Sequence, residues 1–183
     1  MVDNIKSAPL RTLTHVIGHD ASGKGGRQAV SSWPTMLAHS AVAVTCPNDT
    51  NENVLATITI PAGAMGANGL LDILLKVSAT NDASTKTIRG RLGGIGGTVI
   101  FGQATVSFAT AEARFTVENR NSESSQIGGR SGSASGVGGS ANAFQTAAID
   151  TSAETTLVLT AQLGDGTDTL TLESYSVHLF HQD

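Results

Sequence analysis

Val54-Leu-Ala-Thr-Ile-Thr-Ile60 (residues 54–60) alternates its side chains with a period of two: Val54, Ala56, Ile58 and Ile60 share one phase, Leu55, Thr57 and Thr59 the other. A strand displays successive residues on opposite faces, so this alternation predicts a half-buried β-strand. Pro61 to Gly69 (PAGAMGANG) then breaks the pattern as a loop, and Leu70 to Thr80 resumes it with Leu71, Ile73, Leu75 and Val77 in phase. Two such runs joined by a glycine-rich breaker read as strands of an antiparallel sheet.

The same signature recurs on both sides. Ala41 to Cys46 precedes it; Thr85 to Leu92, Thr98 to Phe108, Ala113 to Asn119, Ala143 to Ile149, Thr155 to Leu163 and Thr169 to Phe180 follow. In Thr85 to Leu92, Arg89 and Arg91 face away from Ile88 and Leu92. In Ala113 to Asn119, Ala113, Phe115 and Val117 oppose Arg114, Thr116 and Glu118. In the last run Leu170 and Leu172 keep one phase while Tyr175, Val177 and Leu179 keep the other, so one extra residue is expected as a β-bulge near Glu173-Ser174. About nine strands and no convincing helix predict an all-β protein, an antiparallel, jelly-roll-like β-sandwich.

Composition agrees. The 183 residues suit one domain with a short appendage. Charged residues make up only 14 % and glycine is frequent at 21 residues, whereas a helical protein would carry more Lys, Glu and Leu. A net charge of −4 gives no electrostatic basis for nucleic-acid binding. The longest apolar runs fall far short of the ~20 residues of a membrane span. Met1 to Lys6 is polar with no apolar core behind it, which predicts no signal peptide. Cys46 is the only cysteine, so no intrachain disulfide and no cysteine-based zinc site are available. These features predict a soluble protein made in the cytosol.

Residues 1–39 differ in texture. They hold His15, His19, His39, the only tryptophan (Trp33), two of the four prolines, and apolar residues without a regular period. The expectation is an extended N-terminal arm with at most a small hairpin, followed by a sandwich domain over 40–183. Between Ser122 and Asn142 the sequence SESSQIGGRSGSASGVGGSAN is too long and glycine-rich for a hairpin turn, which predicts a mobile exposed loop.

The motifs that would carry chemistry all fall short. Gly18 to Gly25 (GHDASGKG) comes close to a phosphate-binding loop, but Gly25 stands where the magnesium-binding hydroxyl belongs. Gly26 and Pro34 also oppose the helix that should follow. The stretch reads as a turn. Gly132-Ser-Ala-Ser-Gly136 places alanine where a nucleophile elbow needs serine. Asp165 and Asp168 flank a turn and read as solvated rather than as paired glycosidase carboxylates. Asp49-Thr-Asn51-Glu-Asn53 opens like a calcium loop, but Val54 occupies the glycine position. His178 and His181, three apart in a strand, point to opposite faces and share no ion. No catalytic, cofactor-binding or metal residues are therefore assigned, and no enzyme activity is expected.

Three stretches carry a family likeness: Ala56 to Gly69 (ATITIPAGAMGANG), Asn119-Arg-Asn-Ser122 with Ser125-Gln126, and Thr155 to Thr160 (TTLVLT) with Thr169 to Leu179 (TLTLESYSVHL). Over roughly residues 50–180 the chain resembles structural proteins of tailed-phage virions. That resemblance implies a compact β-domain, often trimeric, displayed on a capsid or tail, with an N-terminal arm bound to the particle. It implies no catalytic residues.

Particle anchoring then falls to Leu13, Val16, Ile17, Arg27, Trp33, Met36 and Leu37, and the exposed contact loop to Ser122, Arg130 and Asn142. The implied partners are further copies in a homotrimer, phage capsid or tail proteins, and a host surface glycan. The implied location is the virion, after assembly in the host cytoplasm. Chain length suits a capsid decoration protein, a short head fibre or a small tail-tip knob rather than a long receptor-binding fibre. The capsid exterior is the preferred place, with a tail fibre or tail-tip receptor-binding protein as alternative. A carbohydrate-binding module is the other alternative, although aromatics at 4 % offer little for a sugar-stacking platform.

Overall fold

The computed structural model describes residues 15–19, 25–29, 34–130 and 143–182. The chain divides into two units, Met1–Trp33 and Pro34–Asp183. In the first, β1 (His15–His19) and β2 (Gly25–Ala29) form an antiparallel hairpin with Ile17 opposite Arg27 and His19 opposite Gly25. A strand therefore follows the Asp-Ala-Ser-Gly-Lys stretch where a phosphate-binding loop would open a helix.

The second unit contains β3 (Thr35–Ser40), β4 (Val44–Thr45), β5 (Glu52–Ile60), β6 (Leu70–Ala79), β7 (Lys86–Leu92), β8 (Thr98–Thr105), β9 (Thr110–Asn119), β10 (Gln126–Arg130), β11 (Phe144–Ala147), β12 (Thr155–Leu163) and β13 (Leu170–Phe180). All pairings are antiparallel. The larger sheet runs β11-β10-β9-β6-β13-β3, with β4 also on β13; the smaller runs β5-β12-β7-β8. The order β3/β4-β13-β6-β9 facing β5-β12-β7-β8 is the double Greek key of a jelly roll. The β10–β11 hairpin widens one sheet.

The core lies between the sheets. Leu71, Ile73, Leu75 and Val77 of β6 meet Leu157, Leu159, Ala161 and Leu163 of β12 and Leu170, Leu172, Val177 and Leu179 of β13, all buried. The phase change in β13 is a bulge at Glu173: Leu172 pairs with Val77 and Ser174 with Lys76. This is where the sequence places it.

A second bulge corrects the reading of residues 54–60. Leu159 pairs with Ala56 and Thr160 with Val54, leaving Leu55 unpaired. The slip turns Leu55 into the core at 7 % exposure and Val54 outward at 46 %. A third, opposite the step from Gly90 to Arg91, buries both Ile100 and Phe101 of β8. Phe101 crosses over Gly90, where a Cβ would overlap its ring, and stacks on Phe115 at 4.3 Å between centroids.

Two segments differ from expectation. Thr35–Ser40 is an edge strand on β13 rather than part of an arm, so the division falls at 33/34 instead of 39/40. Residues 126–130 form β10 between β9 and β11 instead of belonging to a mobile loop. Gly128 permits this, since a Cβ there would overlap the carbonyl oxygen of Ile100 on the facing sheet. Residues 131–142 lie outside the described residues.

Candidate functional site

The expected anchoring residues are distributed over both units. Val16, Ile17 and Arg27 belong to the hairpin, while Leu13 and Trp33 lie outside the described residues. Met36 sits on β3 and is 58 % exposed. Leu37, beside it, packs partly buried against the core. Of the contact-loop residues, Ser122 is a structural link: its N–H donates to Ala67 O at 2.9 Å and its hydroxyl lies 3.2 Å from that of Ser124. Arg130 ends β10 opposite Phe144, and Asn142 lies outside the described residues.

Ser122 belongs to a loop cluster at one end of the sandwich. Gln126 and Asn119 are buried there with their amides joined, Gln126 Nε2 donating to Asn119 Oδ1 at 3.0 Å. Asn119 Nδ2 donates to Gly66 O at 2.6 Å and to Thr151 Oγ1 at 3.0 Å. The Gln126 side chain also bridges both backbone groups of Ile149, at 3.0 Å each. Thr151 Oγ1 donates to Glu123 O at 2.9 Å, and His181 Nδ1 to Ala64 O at 2.9 Å. Ala64 and Gly66 come from PAGAMGANG, Asn119 from NRNS and Gln126 from SQ, with Glu123, Ile149, Thr151 and His181 completing the network. A satisfied buried network of this kind fixes loop geometry.

The outer face of the larger sheet is the broadest candidate contact surface. Asp72 accepts a bidentate pair from Arg114, Nε to Oδ1 at 2.6 Å and Nη2 to Oδ2 at 2.5 Å. The guanidinium holds the Asp72 carboxyl below the usual carboxylate range. Lys76 and Glu112 pair beside it at 3.6 Å. His178 lies opposite both Asp72 and Met36, while Leu70 and Leu74 are half-buried on the same face and Phe180 is exposed at its margin. Two open depressions of about 450 and 390 Å³ share Asp72 and Arg114; Phe180 borders one and His178 the other.

The outer face of the smaller sheet is a closed ion-pair network. Arg91 donates from Nε and Nη2 to the two oxygens of Glu52, both at 2.7 Å, and Thr160 Oγ1 donates to Oε1 at 2.6 Å. Arg89 Nη1 lies 3.3 Å from Glu52 Oε2 and donates to Gln162 Oε1 at 3.0 Å. The hydrogen bonds from Arg91, reinforced by Thr160 and by the charge of Arg89, bring the Glu52 carboxyl down to about 2.

Sequence reasoning missed one ionic group entirely. Lys86 faces inward and is 1 % exposed, and Asp168, read as solvated, is 3 % exposed beside it. The signal was phase: Lys86 alternates with Ile88, Gly90 and Leu92, the inward set of β7. Burial opposes the ammonium, but hydrogen bonds to Asp82 and Asp168 outweigh it and hold the Lys86 pKa above its usual value.

Between the sheets a slot of about 70 Å³, lined by Leu75, Val77, Ile88, Phe108 and Phe115, is far below the ~300 Å³ at which small-molecule sites begin. Among the described residues no three His, Cys, Asp or Glu side chains converge to hold a metal, and no helix is long and apolar enough to cross a membrane. Asp49 Oδ1 accepts from Asn51 N at 2.8 Å and Asn53 Nδ2 at 2.9 Å, which makes that stretch an Asx turn.

No family model and no curated protein matches the chain. Among solved structures it is similar to a chain of infectious bursal disease virus, Gt strain, at 12 % identity and TM-score 0.34, over 91 % of this chain and 37 % of that one. The Gx strain gives 11 %, 0.33, 90 % and 43 %. Basic winged bean lectin with Tn-antigen gives 10 %, 0.30, 68 % and 76 %. The chain thus spans less than half the length of the two viral chains. Likeness at this level establishes neither a family nor a function.

Proposed function

We propose that this protein is a non-enzymatic structural component of a tailed-phage virion, attached through its N-terminal unit and presenting the jelly roll as a homotrimer on the capsid exterior. The observation that carries the reading is the interlocked loop end. Three of the phrases through which the chain resembles virion proteins (PAGAMGANG, NRNS and SQ) supply Gly66, Asn119 and Gln126 of this network. They are fold-specifying, so sharing them means sharing a scaffold.

The ionic groups support the same reading. Glu52, Arg91, Lys86, Asp168, Asp72 and Arg114 are each committed to one another, which suits a rigid display domain. The separate hairpin unit supplies the attachment element, with Val16, Ile17 and Arg27 in its strands. A host-binding tail protein and a carbohydrate-binding module are the competing roles, and both place the working surface on the sandwich.

The test is particle incorporation by a chain starting at Pro34. It is expected to fold with a cooperative melt and to fail to co-sediment with particles that the full chain decorates. Incorporation equal to that of the full chain overturns the anchoring role of the first unit. Binding of the truncated chain to host cells or a glycan array transfers the function to the sandwich surface.

A further inference from the structure

The end of the sandwich opposite the interlocked loops holds a chemistry that the proposed function does not use. Gly164 N–H donates to Thr85 O at 2.7 Å, and this close approach suits glycine, since a Cβ would come 2.8 Å from that oxygen. It swings the turn after β12 over the first residue of β7. Lys86 Nζ, fully screened from solvent, therefore sits 3.1 Å from Asp168 Oδ2, whose side chain is 4 % exposed. Nζ also contacts Asp82 Oδ1 and lies 3.0 Å from Ser84 Oγ and 3.2 Å from Ser84 O. Ser84 Oγ reaches both carboxylates.

Two carboxylates thus share one ammonium, and one negative charge is left over; Lys86 and Asp168 are screened from water, while Asp82 stands at the edge of the site. Separated charges in such a site bear a desolvation penalty that a neutral bond between them removes. With Nζ 3.1 Å from Asp168 Oδ2 and a second carboxylate on hand to move protons, the amine left by loss of a proton would stand beside the acyl group it attacks, as acyl transfer requires.

We propose that Lys86 and Asp168 join in an intramolecular amide, with Asp82 as the acid–base group. The Lys86 ammonium first passes a proton to the Asp168 carboxylate, giving an amine and a carboxylic acid. The Nζ lone pair then attacks Cγ of Asp168 and forms the C–N bond. Asp82 takes a second proton from Nζ and returns it to the departing hydroxyl; the C–O bond breaks and water leaves. Ammonium plus carboxylate becomes amide plus water, Asp82 ends as it began, and no oxidant or cofactor is required. The Ser84 hydroxyl donates toward the oxygen on which charge collects. The remaining carboxylate, Asp82, is 41 % exposed and keeps its hydration. The bond would tie the start of β7 to the turn before β13, which are remote in sequence. It stands independently of the virion reading.

Intact-mass measurement of the full chain, folded and then denatured, tests this. The expected mass is one water below that of the sequence. A tryptic digest should yield a branched peptide linking Lys86 to the stretch containing Asp168. Lys86→Arg, which keeps the cation, and Asp168→Ala should both show the full sequence mass, as should wild-type protein held in urea from the start. Asp82→Ala leaves both bonding partners in place and should retain the full mass over times that convert the wild type. A full-mass folded wild type overturns the proposal. So does a water loss that persists in Lys86→Arg, which would place the dehydration at Asp165-Gly166 as a cyclic imide, and so does a branch at Asp82.

Discussion

Glu52 is the clearest case of a single residue whose ionisation is built into the fold. Its two oxygens are held by the fork of Arg91, with Thr160 and Arg89 completing the site. Lowering a carboxyl from 4.5 to about 2 corresponds to roughly 3 kcal/mol at about 1.4 kcal/mol per pH unit. With the side chain 19 % exposed, solvent screening reduces this to about 2 kcal/mol. Because folding lowers the pKa, the contribution is complete above about 4.5 and vanishes as pH falls toward about 2. Glu52→Gln is therefore expected to destabilise by about 2 kcal/mol at neutral pH. Urea unfolding in parallel at neutral and strongly acidic pH should show the gap to wild type closing in acid. A gap that stays constant would mean that the pair acts through packing alone.

At the level of the strand, bulges decide which residues are core. The alternation in 54–60 is legible, yet the slip opposite Thr160 exchanges the roles of Val54 and Leu55. Leu55→Ala should thus cost about 2–4 kcal/mol and Val54→Ala within about 0.5 kcal/mol, read from urea midpoints at unchanged m-value; equal costs would deny the bulge. The bulge at Glu173 was legible because both of its flanks carry strong apolar phases, Leu170 and Leu172 against Val177 and Leu179. The one at Leu55 was hidden because Val54 and Ala56 are themselves apolar. Strands β3 and β10 escaped for different reasons: Thr35–Ser40 is an edge with mixed exposure, and Gln126–Arg130 reads as loop until Gly128 is seen to lie against Ile100. The buried Lys86 escaped because charge suggests exposure, although its phase pointed inward.

For the whole molecule, the all-β class and the two-layered order were readable from strand count and spacing, whereas the contact surface was not. Apolar residues on an outward sheet face look the same in sequence as core residues of the next strand. Leu70 and Leu74 of β6 face outward together with Met36 and Phe180, and this is the surface on which the proposed trimer would rest. Light scattering on the full chain is expected to give three times the monomer mass, and Leu74→Glu to reduce it to the monomer. A wild-type monomer at micromolar concentration, or a trimer indifferent to Leu74→Glu, removes this face from the assembly.

The strand order also sets a timetable. β12 lies between β5 and β7 in one sheet, and β13 between β6 and β3 in the other, so each layer is joined by a strand made after both of its neighbours. Until these two strands emerge, β5 lacks its partner, and β7 and β6 present open edges where β12 and β13 belong. The nascent chain thus carries these apolar edges open until Leu163 and Phe180 have been made. Its sheets can close only after translation passes Leu163 and then Phe180, by pairings that span most of the chain and so close slowly.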